Sequence, residues 1–260
     1  SARPDEVRRV SAVRETAVLV GATGAMGRVI AARLLAEGLD VLAVARREEA
    51  LHSLAQALPG LRTCAADLGE DAAVEVLQAR LPGPVRMLVH GLGVATAGGV
   101  LDVPTAALTD AVNLKVGGLL RLLRAADARL SRGARVVAIG GHYGFEPSAY
   151  AATAGVANAA LANAVRQLSW ALGPRGITTH LLAPGPADTE RLHRVAQARG
   201  ALDGLDADAV LERMRAESAI GAFTTVEQVA WAIGLLLAPE ADALAGSTLF
   251  MDAGRRKGLP

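Results

Sequence analysis

Gly21-Ala22-Thr23-Gly24-Ala25-Met26-Gly27 follows the apolar run Ala17–Val20 and opens an amphipathic stretch from Arg28 to Glu37. The order is strand, tight turn and helix. Glycines at 21, 24 and 27 let backbone N–H groups approach a ligand closely, and the helix that starts there aims its partial positive charge at whatever the turn holds. A pyrophosphate fits that description. A glycine turn by itself also serves simple chain reversal; this one opens a β-α-β unit of the length a dinucleotide needs.

Outward from the turn, aliphatic or β-branched runs at Ala17–Val20, Val41–Val44, Met87–Val89, Val136–Ile139, Thr178–Leu182 and Thr248–Phe250 read as strands. The segments between them carry apolar residues at helical spacing, as in Leu161, Val165 and Leu168. This alternation predicts an α/β protein with a doubly wound parallel sheet (a Rossmann fold), each crossover covered by a helix. The 260 residues, 52% hydrophobic and 20% charged, suffice for one domain. We read residues 1–15, rich in Arg, Asp and Glu, as an N-terminal arm and residues 16–260 as the dinucleotide-binding domain. Within it, Asp188–Phe223 departs from the alternation, and Leu192, Val195, Val210 and Met214 suggest two short helices broken around Gly200–Asp203. An insertion at the carboxyl edge of such a sheet lies near its ligand crevice. It reads as a helical lid, with an ordinary surface helix pair as the alternative.

Composition narrows the functional classes. The net charge is +1 and no dense Lys/Arg run occurs, so nucleic acid is not an expected partner. No apolar run approaches the roughly 18 residues of a membrane span, and the first fifteen residues contain no apolar leader core, so a cytoplasmic protein is expected. Cys64 is the only cysteine and reads as an inert core thiol. The five histidines show no paired ligand spacing, so no metal site is expected, and the absence of Gly-x-Ser-x-Gly argues against a hydrolase.

The second strand ends in Ala45-Arg46-Arg47. An NAD-selecting fold places a carboxylate here to bind the ribose 2′-hydroxyl, and Ala45 cannot do so. Arg46 and Arg47 can pair with a 2′-phosphate, which points to NADPH; a solvated arginine pair is the plainer alternative. Asp67 follows a third strand and is placed either to meet the adenine or to cap a helix.

Beyond the turn come Ala66-Asp67-Leu68, Leu88-Val89-His90-Gly91-Leu92-Gly93, Val112-Asn113-Leu114, Ala183-Pro184-Gly185 with Thr189, and Asp252-Ala253-Gly254. In this order they resemble the short-chain dehydrogenase/reductase family over nearly the whole chain. The resemblance implies that Gly21, Thr23, Gly24, Ala25, Met26 and Gly27 hold NADPH together with Arg46, Arg47, Asp67, Leu68, Gly91, Leu92 and Gly93. It also implies that Pro184, Gly185 and Thr189 clasp the nicotinamide amide and that Asn113 orders a catalytic water. The Gly-x-x-Gly-x-x-Gly spacing is more usual in extended and atypical branches.

Family members protonate the developing oxyanion with a tyrosine, assisted by a lysine and a serine. Two alignments compete. Taking Tyr150 as the acid puts Ala154 four residues on and requires shortening the loop after Gly140-Gly141. The gapless alignment, anchored on Arg175-Gly176-Ile177 and Ala183-Pro184-Gly185, puts Gly141, Ala154 and Asn158 at the serine, tyrosine and lysine positions. We adopt it, which implies a resemblance to an atypical member without the triad. The proton then comes from a substitute acid, with His142, Tyr143, Tyr150 and His193 as candidates, or from a hydroxyl beside the substrate's own ketone. Small residues at 141 and 154 would leave room for a flat polycyclic substrate.

Lys115 does not match the family's lysine and reads as a surface residue, and Arg255-Arg256-Lys257 reads as a solvated tail before Pro260, with subunit contact as its alternative. Homo-oligomer formation through Ala107–Leu123 and Ala154–Leu172 is open. The triad-less pattern and Ala/Arg-rich style resemble antibiotic-pathway tailoring enzymes, which implies a ketoreductase acting on a polycyclic aromatic, angucyclinone-type polyketide ketone. A non-catalytic NADP(H)-sensing or partner-binding protein is the alternative.

Overall fold

The computed structural model describes residues 14–94 and 98–258. Its sheet has seven strands: β1 (Thr16–Val20), β2 (Asp40–Ala45), β3 (Leu61–Ala65), β4 (Val85–His90), β5 (Leu130–Ile139), β6 (Thr178–Pro184) and β7 (Thr248–Met251). They lie parallel in the order β3-β2-β1-β4-β5-β6-β7. β1 is buried along its whole length because it sits inside the sheet with helices over both faces.

The two-residue period of the strands sorts the core into two layers. Val18, Val20, Leu42 and Val44 face α3 (Ala73–Arg80), α5 (Gly118–Ala126) and α6 (Ala152–Leu172) through Leu77, Leu119, Leu161 and Val165. Ala17, Leu19, Val41 and Ala43 face α1 (Ala25–Ala36), α2 (Glu48–Ala57) and α9 (Val226–Leu235) through Ile30, Leu54 and Ile233. The result is one doubly wound domain. α4 (Thr105–Val112) runs into α5 through a π-helical turn, Asn113–Gly117. Such widened turns recur at functional sites.

Several expectations are corrected. The third strand expected before Asp67 is β3, absent from the apolar runs because it is the half-exposed edge strand, with Arg62 on its outer side. The break in the 188–223 segment falls later than Gly200–Asp203, since α7 (Glu190–Asp203) continues to a left-handed Gly204 and α8 (Ala207–Ala216) follows. Gly200 serves a close approach instead: a Cβ there would lie 2.5 Å from the Leu205 carbonyl oxygen. Leu192, Ala196, Val210, Leu211, Met214 and Phe223 give this pair its own small core.

The Arg255–Lys257 tail is docked, not solvated. Arg255 donates to the Met214 carbonyl and pairs with Glu217 on the α8 side, Arg256 stacks on Phe250 at 3.6 Å, and Glu146 accepts the amides of Lys257 and Gly258. Of the expected N-terminal arm, residues 1–13 lie outside the described residues, as does Pro260; Glu15 already extends β1 beside β2, accepting the Asp40 amide. Cys64 is buried, and burial pushes its thiol up.

Candidate active site

β1 is flanked by β2 and β4, from which the strand order runs in opposite directions, so a crevice opens beyond the carboxyl ends of β1 and β4. One wall is the glycine turn. Gly21 has φ +84°, and a Cβ on it would meet the Gly91 carbonyl oxygen at 2.8 Å. A Cβ on Gly27 would lie 2.2 Å from the Gly21 carbonyl oxygen, so α1 starts in contact with the turn. Gly24 is its N-cap, with no side chain bonded to the first N–H groups and no acidic residue in the first turn. Thr23 offers its carbonyl to Arg28, Ala25 is exposed, and Met26 packs on the core. Free N–H donors in a turn that a Cβ at 21 or 27 would fill fit a dinucleotide's pyrophosphate.

At the end of β2, Arg46 and Arg47 are exposed and have no ion pair among the described residues. Asp67 Oδ1 accepts the Gly69 amide at 2.9 Å; it caps a turn, since α3 starts only at Ala73. The Leu68 side chain is buried in the core, and its carbonyl accepts from Arg121. Asn113 lies at the start of the π turn with both side-chain ends engaged: its amide donates to Gly69 at 2.9 Å and its oxygen accepts from Arg121 at 2.9 Å.

Across the crevice, Gly91 is tied to β1 through the Val20 carbonyl at 3.0 Å. Leu92 is half-buried and Gly93 exposed, the latter close to the Arg191 guanidinium of α7. Arg191 also donates to the Val94 carbonyl, so α7 is latched to the loop after β4. Pro184 ends β6, and a Cβ on Gly185 would lie 3.0 Å from the Asp252 backbone. The segment to Thr189 is held by backbone bonds between Pro186 and Thr224 and between Asp188 and Thr224, while the Thr189 hydroxyl donates to Ala187. A groove of about 520 Å³ runs from Asp188 and Thr189 along Glu190, His193, Arg194 and Gln197.

The positions assigned to the triad hold no hydroxyl and no ammonium. A Cβ on Gly141 would sit 3.0 Å from Asn158 Nδ2, and Ala154 is half-buried against the cluster of Val94, Ala111 and Ala157. Room at 141 is therefore taken up by Asn158 itself, contrary to the expectation of a widened wall there. Asn158 Oδ1 is buried without a partner. His142 is buried, and burial with Arg255 nearby lowers it to about 4, so it is neutral at pH 7. Burial and the hydrogen bond to Tyr150 push Tyr143 up to about 12. Burial acts to raise Tyr150 too, but its bonds to Tyr143 and Arg199 outweigh that and lower it; Arg199 also lies 3.7 Å over its ring. His193 is exposed and bonded to Asp188 at 3.1 Å.

Lys115 is not on the surface. It is 4% exposed within the π turn, and its Nζ donates to the Ile139 carbonyl at 2.7 Å, two residues before Gly141. The turn of backbone that carries it is clamped by His90, the residue before Gly91, whose Nε2 lies 3.0 Å from both the Leu114 and Lys115 carbonyl oxygens. Burial, with Lys115 close by, lowers His90 to about 4, so a neutral ring with its hydrogen on Nε2 makes these bonds. Burial, reinforced by Arg191, brings Lys115 down to about 7. A lysine flanked by leucine and valine in sequence gives no periodic signal of facing inward; only the π turn rotates it toward the sheet.

The family model described as enoyl-(acyl carrier protein) reductase matches residues 21–256. The chain is 27% identical to the short-chain reductase protein NovJ of Streptomyces niveus, covering 96% of this chain and 98% of that one. It is 28% identical to a protein named for ketoacyl reduction in Streptomyces coelicolor, over 92% of this chain and 96% of that one. Among solved structures, an actinorhodin polyketide ketoreductase variant crystallised with NADPH superposes with a TM-score of 0.85 at 25% identity, covering 93% of this chain and 97% of that one.

Proposed function

The chain belongs to the short-chain dehydrogenase/reductase family, and from that premise we propose that it is an NADPH-dependent ketoreductase working without the Ser-Tyr-Lys triad. Its substrate in this reading is a polycyclic aromatic polyketide ketone of angucyclinone type, in antibiotic biosynthesis. The observation that carries the reading is an intact glycine cradle facing a wall where Gly141, Ala154 and Asn158 stand in the triad's places. Relatives named for short-chain, ketoacyl and polyketide keto reduction support the chemistry. The pattern resembles the angucyclinone ketoreductase of simocyclinone biosynthesis.

NADPH, when bound, supplies the hydride. Gly21–Gly27 and the start of α1 would hold its pyrophosphate, Arg46 and Arg47 its 2′-phosphate, Asp67 and Leu68 would border the adenine, and Gly91–Gly93 with Pro184–Thr189 would hold the nicotinamide end. The α7–α8 pair would act as a lid that excludes water, with Arg191 bridging to Val94. Neutral His142 and the raised Tyr143 are poor proton donors at pH 7; Tyr150 is lowered by its bonds to Tyr143 and Arg199, and in this reading the proton comes from a hydroxyl next to the substrate's ketone.

Purified protein mixed with NADPH and hydroxylated anthraquinone or angucyclinone ketones is expected to consume NADPH only where a hydroxyl flanks the ketone. Tight NADPH binding without turnover on any ketone would favour a cofactor sensor instead. Replacing Arg46 and Arg47 together by alanine is expected to weaken NADPH about 10- to 100-fold, the loss of charge-assisted hydrogen bonds worth about 1.5–3 kcal/mol. NADH binding should hardly change; equal losses for both cofactors in a titration would show that the arginines do not read the 2′-phosphate. Tyr143→Phe, Tyr150→Phe and His142→Ala should each leave kcat within about fivefold, whereas removing a true acid costs about 10²–10⁴-fold.

A further inference from the structure

We propose that Lys115 is the working cation of this site: its ammonium offsets the negative charge that hydride arrival places on the substrate's oxygens, and it returns the proton that completes the alcohol. The inference rests on the ketoreductase reading above and adds a residue to it.

Three links tie Lys115 to the crevice. Its Nζ is fixed on the carbonyl that precedes Gly140-Gly141, its backbone is clamped by His90 beside Gly91, and it feels the Arg191 charge that reaches Gly93 and Val94. The facing titratable and charged groups are His90 on β4 and Arg191 on α7; no carboxylate acts on it among the described residues. An ammonium buried with no counter-anion is held at a cost, and its field there is only weakly screened.

A purely structural role explains little of this. Bridging to one carbonyl uses one of three N–H donors, and a neutral amide could make that bond without burying charge. Apart from Lys257, Lys115 is the only lysine in a chain whose 27 basic residues are otherwise arginine. Arginine keeps its proton under all ordinary conditions, whereas lysine can release one. With burial holding the group near neutrality, both forms are present at working pH. Asn158, at the position of the family's lysine, is neutral and has an unpartnered oxygen. The positive charge expected of that position thus comes from the π turn.

The step balances. Hydride brings its electron pair to the carbonyl carbon, the carbon–oxygen π bond opens, and the oxygen becomes an anion. The neighbouring hydroxyl gives it a proton and takes over the charge. One Nζ–H bond of Lys115 then breaks, its proton restores that hydroxyl, and water reprotonates the amine.

Because there are two lysines, ¹⁵N labelling of lysine side chains gives two resonances, with Lys257 as the internal reference. The probe is 1,8-dihydroxyanthraquinone with NADP⁺, whose phenol ionisation is visible by absorbance. Lys115 should titrate near neutrality in the free protein and move up by about one pH unit or more once the probe anion is bound, while the probe ionises at correspondingly lower pH. Lys115→Met should return probe ionisation to its value in free solution. Lys115→Arg should keep probe ionisation low but remove the neutral inflection from the pH profile of kcat/KM. A Lys115 resonance indifferent to the probe, or probe ionisation unchanged in Lys115→Met, would overturn the proposal. Coupling without turnover of any ketone would leave the cation assigned and sink the substrate reading; turnover without coupling would do the reverse.

Discussion

Gly27→Ala is expected to destabilise the protein by about 3 kcal/mol, the upper range for forcing atoms into a packed site, and to weaken NADPH binding about 100-fold, equivalent to about 2.7 kcal/mol. The cause is local and backbone-bound. The added Cβ would stand 2.2 Å from the Gly21 carbonyl oxygen and 2.7 Å from the Ala22 Cα, so α1 must move off the turn that would hold the pyrophosphate in the proposed reading. Gly24 is the control. It is exposed, and the nearest atom to a Cβ there is the Gly21 carbonyl oxygen at 3.5 Å, an ordinary contact. Gly24→Ala should therefore unfold within about 1 kcal/mol of the parent and, if the turn holds the pyrophosphate as proposed, still lose NADPH affinity, because the exposed methyl group would crowd the turn. Thermal unfolding and calorimetric titration of both variants decide the point. Wild-type affinity in Gly24→Ala would mean that this turn does not hold the pyrophosphate.

Arg135→Met should cost about 3–5 kcal/mol, the range for removing one member of a buried charged network, and lower Tm by roughly 10 °C in a chain of this size. Arg135 lies in β5 with 1% exposure, where the strand's two-residue period turns it inward. Its guanidinium donates to the Leu236 carbonyl at 2.8 Å, the Ala238 carbonyl at 3.0 Å, the Thr178 hydroxyl at 2.9 Å and Asp242 at 2.5 Å. It thereby satisfies the Leu236 carbonyl at the end of α9, which has no partner within the helix, and adds a second donor to the Ala238 carbonyl, which also accepts the Ala241 amide; its charge suits that end of the helix dipole. Methionine matches the stem but leaves the Leu236 carbonyl without a donor and removes the charged links to Ala238, Thr178 and Asp242. Asp242 is 68% exposed on its side chain, so Asp242→Asn should cost less than about 1 kcal/mol. Scanning calorimetry separates the two; a change below about 2 °C in Arg135→Met would show that water or neighbouring groups replace the arginine.

Much of the fold is legible in the sequence. The glycine turn between an apolar run and an amphipathic stretch, repeated alternation of strand and helix, and Arg46-Arg47 where a carboxylate would select NAD are local features, written in consecutive residues. Their meaning depends on spacing alone, and a doubly wound parallel sheet follows from them. β3 escaped because an edge strand need bury only part of itself, and Gly200 misled because a glycine demanded by close approach looks the same in sequence as one that ends a helix. The docking of Arg255 on α8 and of Glu146 on the chain end joins residues 38 and 111 positions apart, and no local pattern encodes such pairs.

The sequence by itself therefore determined the fold class, because it is a matter of which residue stands at which spacing, and the same spacing is what puts Gly141, Ala154 and Asn158 at the triad positions of the gapless alignment. Only the tertiary structure decided that Asn158 fills the space beside Gly141, that Asn113 turns its side chain to Gly69 and Arg121, and that Lys115 is buried against Ile139. The reason is geometric: a π turn changes the rotation per residue, so the direction in which its side chains point is set by the sheet and the helices packed around it.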